Sequence, residues 1–180
     1  MRTWSGIRLA AVSRWNFALQ HPDRVDRLVL AAAPPGGFKP PEDEVKLIGA
    51  VFAAVKNGEE AIVKAWLDHP MWRVSRGRPD VMKELDASVR RNLAPFKMTF
   101  APYLPVRPPA IERLGAVRSP TLVIVGDRDM PSIREAAALE AKRIPGAIMK
   151  VVAGADHGLP LGWADEFNAA VIAFLSAARR

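Results

Sequence analysis

Apolar positions along the chain follow two patterns. Three short runs are almost continuously apolar and are bounded by turn-forming residues: Leu28-Val-Leu-Ala-Ala-Ala33, Thr121-Leu-Val-Ile-Val-Gly126 and Ala147-Ile-Met-Lys-Val-Val152. Their length and branched side chains predict strands, at about 27–33, 121–126 and 147–152. Elsewhere apolar residues recur at spacings of three and four, which predicts amphipathic helices. Ile7 to Leu19 carries Leu9, Ala11, Val12, Trp15 and Ala18 near one face and ends at His21-Pro22, since proline cannot continue a helix. Glu42 to Lys56 carries Val45, Ile48, Phe52 and Val55, behind an acidic first turn. Glu59 to Asp68 carries Ile62, Ala65 and Trp66, and Pro79 to Leu93 carries Met82, Leu85, Val89 and Leu93. Ser132 to Ile144 is a further helix. Trp163 to Ala178 has the stripe Trp163, Phe167, Ala170, Val171, Phe174 and Leu175, expected to pack on the sheet. Residues 34–41, Pro-Pro-Gly-Gly-Phe-Lys-Pro-Pro, form a loop, and 101–120 is a proline-rich return that includes a short helix at Pro109 to Leu114.

Thr121 to His157 organises the rest. It reads strand, acid-bearing turn (Asp127-Arg-Asp129-Met-Pro131), helix, strand, histidine-bearing turn (Gly154-Ala-Asp-His157-Gly158). Such a βαβ crossover makes its two strands parallel and adjacent, so their C-terminal ends share one edge of the sheet. Asp129 and His157 both follow those ends, where open α/β sheets place ligands and chemistry. Two separate turns thus build a carboxylate that can orient an imidazole. Both aspartates of the first turn also have a structural reading, as caps of the next helix.

This stretch resembles the C-terminal half of an α/β-hydrolase. That family carries its acid in a Gly-x-x-Asp turn and its histidine in a Gly-x-x-His-like turn after the last strand. Gly126-Asp-Arg-Asp129 and Gly154-Ala-Asp-His157 match both, in that order. The resemblance runs from about Phe17 to Leu175. Phe17-Ala-Leu-Gln-His-Pro-Asp-Arg-Val-Asp-Arg-Leu-Val-Leu30 is similar to the helix that follows the nucleophile and the strand after it.

The resemblance implies an α/β fold: a partial α/β-hydrolase core at 1–34 and 104–180, with three parallel strands and flanking helices, and a helical cap inserted at 35–103. It implies Asp129 as the acid that accepts a hydrogen bond from one ring nitrogen of His157, while the other nitrogen serves as the base. Asp127 is the rival acid, and Asp156 is expected to face solvent. Trp66, Met71, Trp72 and Tyr103, with Phe96, Met98 and Phe100, are candidates for an apolar acyl pocket; each has the alternative role of packing cap on core. His69, beside Pro70, reads as a capping or surface residue.

The family's nucleophile elbow, Gly-x-Ser-x-Gly, is not matched. Counting back from Pro22 lands on Arg8 within Gly6-Ile-Arg8-Leu-Ala10, and arginine stays protonated. Ser5 lies three residues early, Ser13 falls within the helix, and the serines at 75, 88, 119, 132 and 176 lie outside the expected place. The strands before the elbow and the loop that gives half the oxyanion hole are also missing. The expectation is a fragment, with a natural non-catalytic form as the competing explanation. By descent the activity is hydrolysis of esters, lactones or similar small substrates with Ser-His-Asp chemistry; for this chain alone, little or none. The same fold hosts dehalogenases, epoxide hydrolases and cofactor-free oxygenases, and fold analogy does not choose among them. The alternative from another class is a non-catalytic module that binds a small molecule or a protein.

Composition narrows the partners. The 180 residues suffice for one core, and apolar content of 49% with 25% charged residues is ordinary for a globular domain. With no cysteine there is no disulfide, thiolate nucleophile or Cys metal site, which fits a cytoplasmic setting. No His/Asp/Glu cluster has metal spacing and no glycine-rich phosphate loop follows a strand, so no metal or cofactor is expected. Net charge is +7, but the basic residues are dispersed, with dense groups only at Arg73 to Arg78, Arg90-Arg91 and Arg179-Arg180. No aromatic-interleaved basic ribbon supports nucleic-acid binding. No apolar run spans a membrane, and Arg8, Arg14 and Asn16 interrupt any signal-like run near the start. The strand near Leu28 is expected to be an open apolar edge, prone to self-association.

Overall fold

The computed structural model describes residues 9–97 and 107–177. Helix α1 (Leu9–Gln20) leads through a 3-10 turn at Pro22–Arg24 into strand β1 (Leu28–Ala31). Helices α2 (Glu42–Ala53), α3 (Glu59–Leu67), α4 (Pro79–Arg91) and α5 (Ala94–Lys97) follow. The chain then forms β2 (Thr121–Gly126), α6 (Pro131–Arg143), β3 (Ile148–Val152), α7 (Leu159–Gly162) and α8 (Ala164–Ser176). The segment expected as a short helix at Pro109 to Leu114 is two 3-10 turns, Ala110–Glu112 and Leu114–Ala116.

The three strands form one parallel sheet in the order β1-β2-β3. Leu28 pairs with Thr121 and Ala31 with Ile124, while Gly126 pairs with Val152. The last pairing brings the ends of β2 and β3 level, so the turns that follow them face one another. Strand β2 is buried along its whole length, as a central strand covered on both faces must be. Alternation along it divides the core: Val123 and Val125 pack with Trp15, Leu30, Ile133 and Ala137 beneath α1 and α6. Ile124 points the other way, with Val152 and Leu159, under Trp163, Phe167 and Ala170. Trp15 is fully buried and its indole N–H donates to the Ala33 carbonyl at 3.2 Å, fixing α1 against the end of β1.

Helices α2 to α4 enclose a core of their own, built on Val51, Ile62, Trp66, Met71, Leu85 and Val89. Met130, directly after Asp129, packs against both this cluster and the sheet core. Of the expected stripe on α2, Ile48, Phe52 and Val55 pack against this helical core beside the buried Val51, while Val45 is exposed. On α8, Leu175 is exposed while Phe174 is buried.

Two features go beyond the expectations from the sequence. Among the described residues β3 has no neighbour beyond β2, and Ile148, Met149 and Val151 are exposed at 58, 38 and 48%. β1 is the other edge strand among the described residues, and its Leu28 and Leu30 side chains are buried rather than exposed. The other feature is Glu140 on α6, which is fully buried, and its Oε1 has no hydrogen-bond partner among the described residues. Burial alone pushes its carboxyl up to about 9.

Candidate active site

The two turns at the carboxyl edge of the sheet are stitched together before any side chain of the site is placed. Asp127 N–H donates to the Val152 carbonyl at 3.1 Å and Arg128 N–H to the Ala155 carbonyl at 2.9 Å. Gly154 N–H donates to Asp127 Oδ1 at 2.7 Å. Asp127 thereby braces one turn against the other. Gly126 is required by space: a Cβ there would lie 2.1 Å from the Ala155 oxygen. Gly154 has φ +72°, a conformation that favours glycine.

This frame brings Asp129 and His157 together. Asp129 Oδ2 lies 3.0 Å from His157 Nδ1, and Asp129 Oδ1 accepts the Met130 N–H at 2.7 Å. The Asp129 side chain is 0% exposed and that of His157 is 19% exposed. An ionised carboxylate can only accept, so this contact calls for the tautomer with the proton on Nδ1 and the lone pair on Nε2. Among the described residues no serine hydroxyl bonds to Nε2. Ser75, Ser119 and Ser132 donate instead to Asp156, the Val25 carbonyl and Glu44.

The segment between α3 and α4 meets the histidine. Trp72 meets the His157 ring edge-on, with centroids 5.6 Å apart, and His157 N–H donates to the Met71 carbonyl at 3.3 Å. Trp66, Met71 and Trp72 are all buried, and the Trp72 indole N–H donates to the Trp66 carbonyl at 2.9 Å. Of these three, Trp72 alone touches the His157 ring in the contacts above; Trp66 and Met71 belong to the helical core. Tyr103, Met98 and Phe100 lie outside the described residues, as does Arg8. An open recess of about 410 Å³ at Arg78 and Leu161 to Glu166 contains none of the proposed pocket residues.

Three further side chains are placed differently from, or more sharply than, the sequence reading. Asp156, expected in solvent, is 0% exposed, because it accepts backbone and hydroxyl donors from Val74 and Ser75. His69 is buried, and its Nδ1 caps the following 3-10 turn by accepting the Met71 N–H at 3.2 Å. Arg78, in the basic group Arg73 to Arg78, donates to the Gly162 carbonyl and stacks on Trp163 at 5.5 Å. Among the described residues no group of three His, Cys, Asp or Glu side chains could hold a metal ion. No helix among them is long and apolar enough to cross a membrane.

No protein-family model matches the chain, and no curated protein matches it in sequence. Solved structures do. A thermophilic esterase from Thermogutta terrifontis superposes with a TM-score of 0.72 at 23% identity, over 94% of this chain and 62% of its own. A hydrolase from Pseudomonas aeruginosa gives 0.69 at 26% identity, over 96% of this chain and 63% of its own. The enol-lactonase from Burkholderia xenovorans gives 0.68 at 20% identity, over 96% and 64%. This chain spans less than two thirds of each of them. With three parallel strands, flanking helices and an acid–histidine pair at the carboxyl edge, the chain has a partial α/β-hydrolase fold.

Proposed function

We propose that Asp129 and His157 are the acid and the base of a hydrolytic site for carboxylic esters, lactones or similar small apolar or acyl substrates. The observation that carries this is the 3.0 Å contact between a fully desolvated Asp129 carboxylate and a partly open His157 ring. In Ser-His-Asp chemistry that contact fixes the tautomer and stabilises the imidazolium as Nε2 takes the nucleophile's proton. The esterase and the lactonase among the structural neighbours favour the same class of substrate. The helices within 35–103 act as the cap over the site, with the Trp72 side chain against the His157 ring. The setting is cytoplasmic, and the open edges at β1 and β3 favour self-association.

A serine nucleophile has no seat beside Nε2 among the described residues, and Arg8 occupies the aligned elbow position. This chain alone is therefore expected to hydrolyse 4-nitrophenyl acetate no more than about twofold faster than its His157→Ala variant. A saturable rate that falls about tenfold or more in His157→Ala would show a nucleophile at work and contradict that. In the same preparation, short-chain esters and lactones should shift the His157 ring signals in a saturable way. No shift with any acyl compound would contradict the substrate class. Size-exclusion chromatography alongside should show self-association; a sharp monomer stable over days would count against it.

A further inference from the structure

Two carboxylate–serine pairs join the helical layer to the two turns that carry Asp129 and His157. Asp156, immediately before His157, accepts four hydrogen bonds on its two oxygens. Ser75 donates from Oγ at 2.6 Å and from its backbone N–H at 2.7 Å, Val74 N–H donates at 2.9 Å and Gly158 N–H at 3.0 Å. Three of these four donors lie between α3 and α4, more than eighty residues away in sequence. Asp156 and Ser75 are both 0% exposed. Gly158 lets the serine in: a Cβ there would stand 2.6 Å from Ser75 Oγ.

The other turn carries the reverse arrangement. Glu44, in the first turn of α2, accepts the Ser132 N–H at 3.1 Å and the Ser132 hydroxyl. Ser132 lies three residues after Asp129, at the start of α6. So each turn of the acid–base pair is fastened to the same layer by a carboxylate bonded to a serine hydroxyl and its backbone N–H. Charge-assisted bonds of this kind are short and directional, and a buried carboxylate with all its donors in place holds them rigidly.

We propose that Asp156, with Ser75, and Glu44, with Ser132, are positioning residues that set the spacing of Asp129 and His157. The helical layer at these points is a clamp that holds the pair together. Calling the pair acid and base rests on the functional reading above; the clamp itself does not. Asp156 carries the larger share. It is covalently next to His157, whose own N–H is bonded to the Met71 carbonyl of the same segment. Releasing it frees the turn to drift by a few tenths of an ångström, enough to lengthen a 3.0 Å bond past good geometry.

The test uses the full chain and reads the solvent-exchange rate of the His157 Nδ1 proton by NMR beside the urea midpoint. Asp156→Asn should speed that exchange by about tenfold or more, because an amide holds the four donors less tightly and the turn opens more often. Ser75→Ala and Ser132→Ala should give smaller accelerations, and Ser75→Ala should add little on top of Asp156→Asn. Val117→Ala, in the sheet core away from both turns, controls for lost stability and should leave the exchange rate unchanged. Equal acceleration in Val117→Ala, or no acceleration in Asp156→Asn, would overturn the proposal. If Asp156→Asn does not fold, Ser75→Ala decides: an accelerated exchange supports the clamp and an unchanged one overturns it. Because turnover is not read, the clamp can stand with the hydrolytic reading lost, and the reverse.

Discussion

Gly126→Ala should lower stability by about 3 kcal/mol or more and should separate Asp129 from His157. The added methyl would sit 2.1 Å from the Ala155 oxygen, 2.6 Å from its carbonyl carbon and 3.0 Å from its Cβ. Two of those atoms are backbone, so no side chain can swing aside. The Ala155 carbonyl is also the acceptor for Arg128 N–H, two residues on from Gly126. Relief of the clash must therefore break the hydrogen bond that holds the acid turn against the histidine turn. The control is Gly49→Ala in α2, where an added Cβ meets nothing within 4 Å. That substitution should raise stability by about 0.5–1 kcal/mol, through helix propensity and a less flexible unfolded chain. Urea unfolding of both variants checks the pair. A Gly126→Ala midpoint within about 1 kcal/mol of the parent would refute the account of the turn.

Glu140→Gln should stabilise the protein at alkaline pH and change little at acid pH. The folded-state pKa of Glu140 is raised by burial from 4.5 to about 9. Between those values the folded chain keeps a proton that the unfolded chain gives up. The unfolded state then binds fewer protons, so stability falls as pH rises through the window. It is fully present below the unfolded value and reaches its floor above the folded one. From pH 5 to pH 8 the loss amounts to about 3 kcal/mol, somewhat under the full ~1.4 kcal/mol per pH unit because the buried site relaxes. The glutamine amide never ionises, so the difference between variant and parent isolates this one group from all other titrations. At pH 8 the variant should melt roughly 5–10 °C above the parent, and the gap should close near pH 5. A gap independent of pH would mean that Glu140 is not protonated in the fold.

The parts of the fold that were legible in the sequence are those that depend on local chemistry. The run at Thr121 to Gly126 is uniformly apolar because a central parallel strand is covered on both faces, and β2 has those bounds. Gly126 and Gly154 stood in the sequence as motif positions; the structure supplies the reasons, lack of space at one and a positive φ at the other. The crossover rule brought the two turns to one edge of the sheet, and the Gly-x-x-Asp resemblance singled out Asp129 from Asp127. What was not legible depends on distant contacts. The burial of Val51 and the exposure of Val45 on α2 are set by where α3 and α4 lie, and a pattern read on one helix cannot register that. Asp156 reads as a solvated turn acid because its donors, Val74 and Ser75, belong to another layer. Glu140 did carry a signal: it stands at the i+7 place of the stripe Ile133, Ala136, Ala137, an acid on an apolar face. The exposure of β3 had no such signal, since an apolar edge strand and an apolar buried strand read alike.

The acid–base pair is tested most directly by ¹⁵N NMR of the His157 ring, with its two nitrogens resolved, at a pH where the ring is neutral. The geometry predicts that Nδ1 carries the proton and Nε2 does not, and that Asp129→Ala abolishes this preference while the fold persists. A ring protonated at Nε2 in the parent, or a tautomer population unchanged in Asp129→Ala, would contradict it.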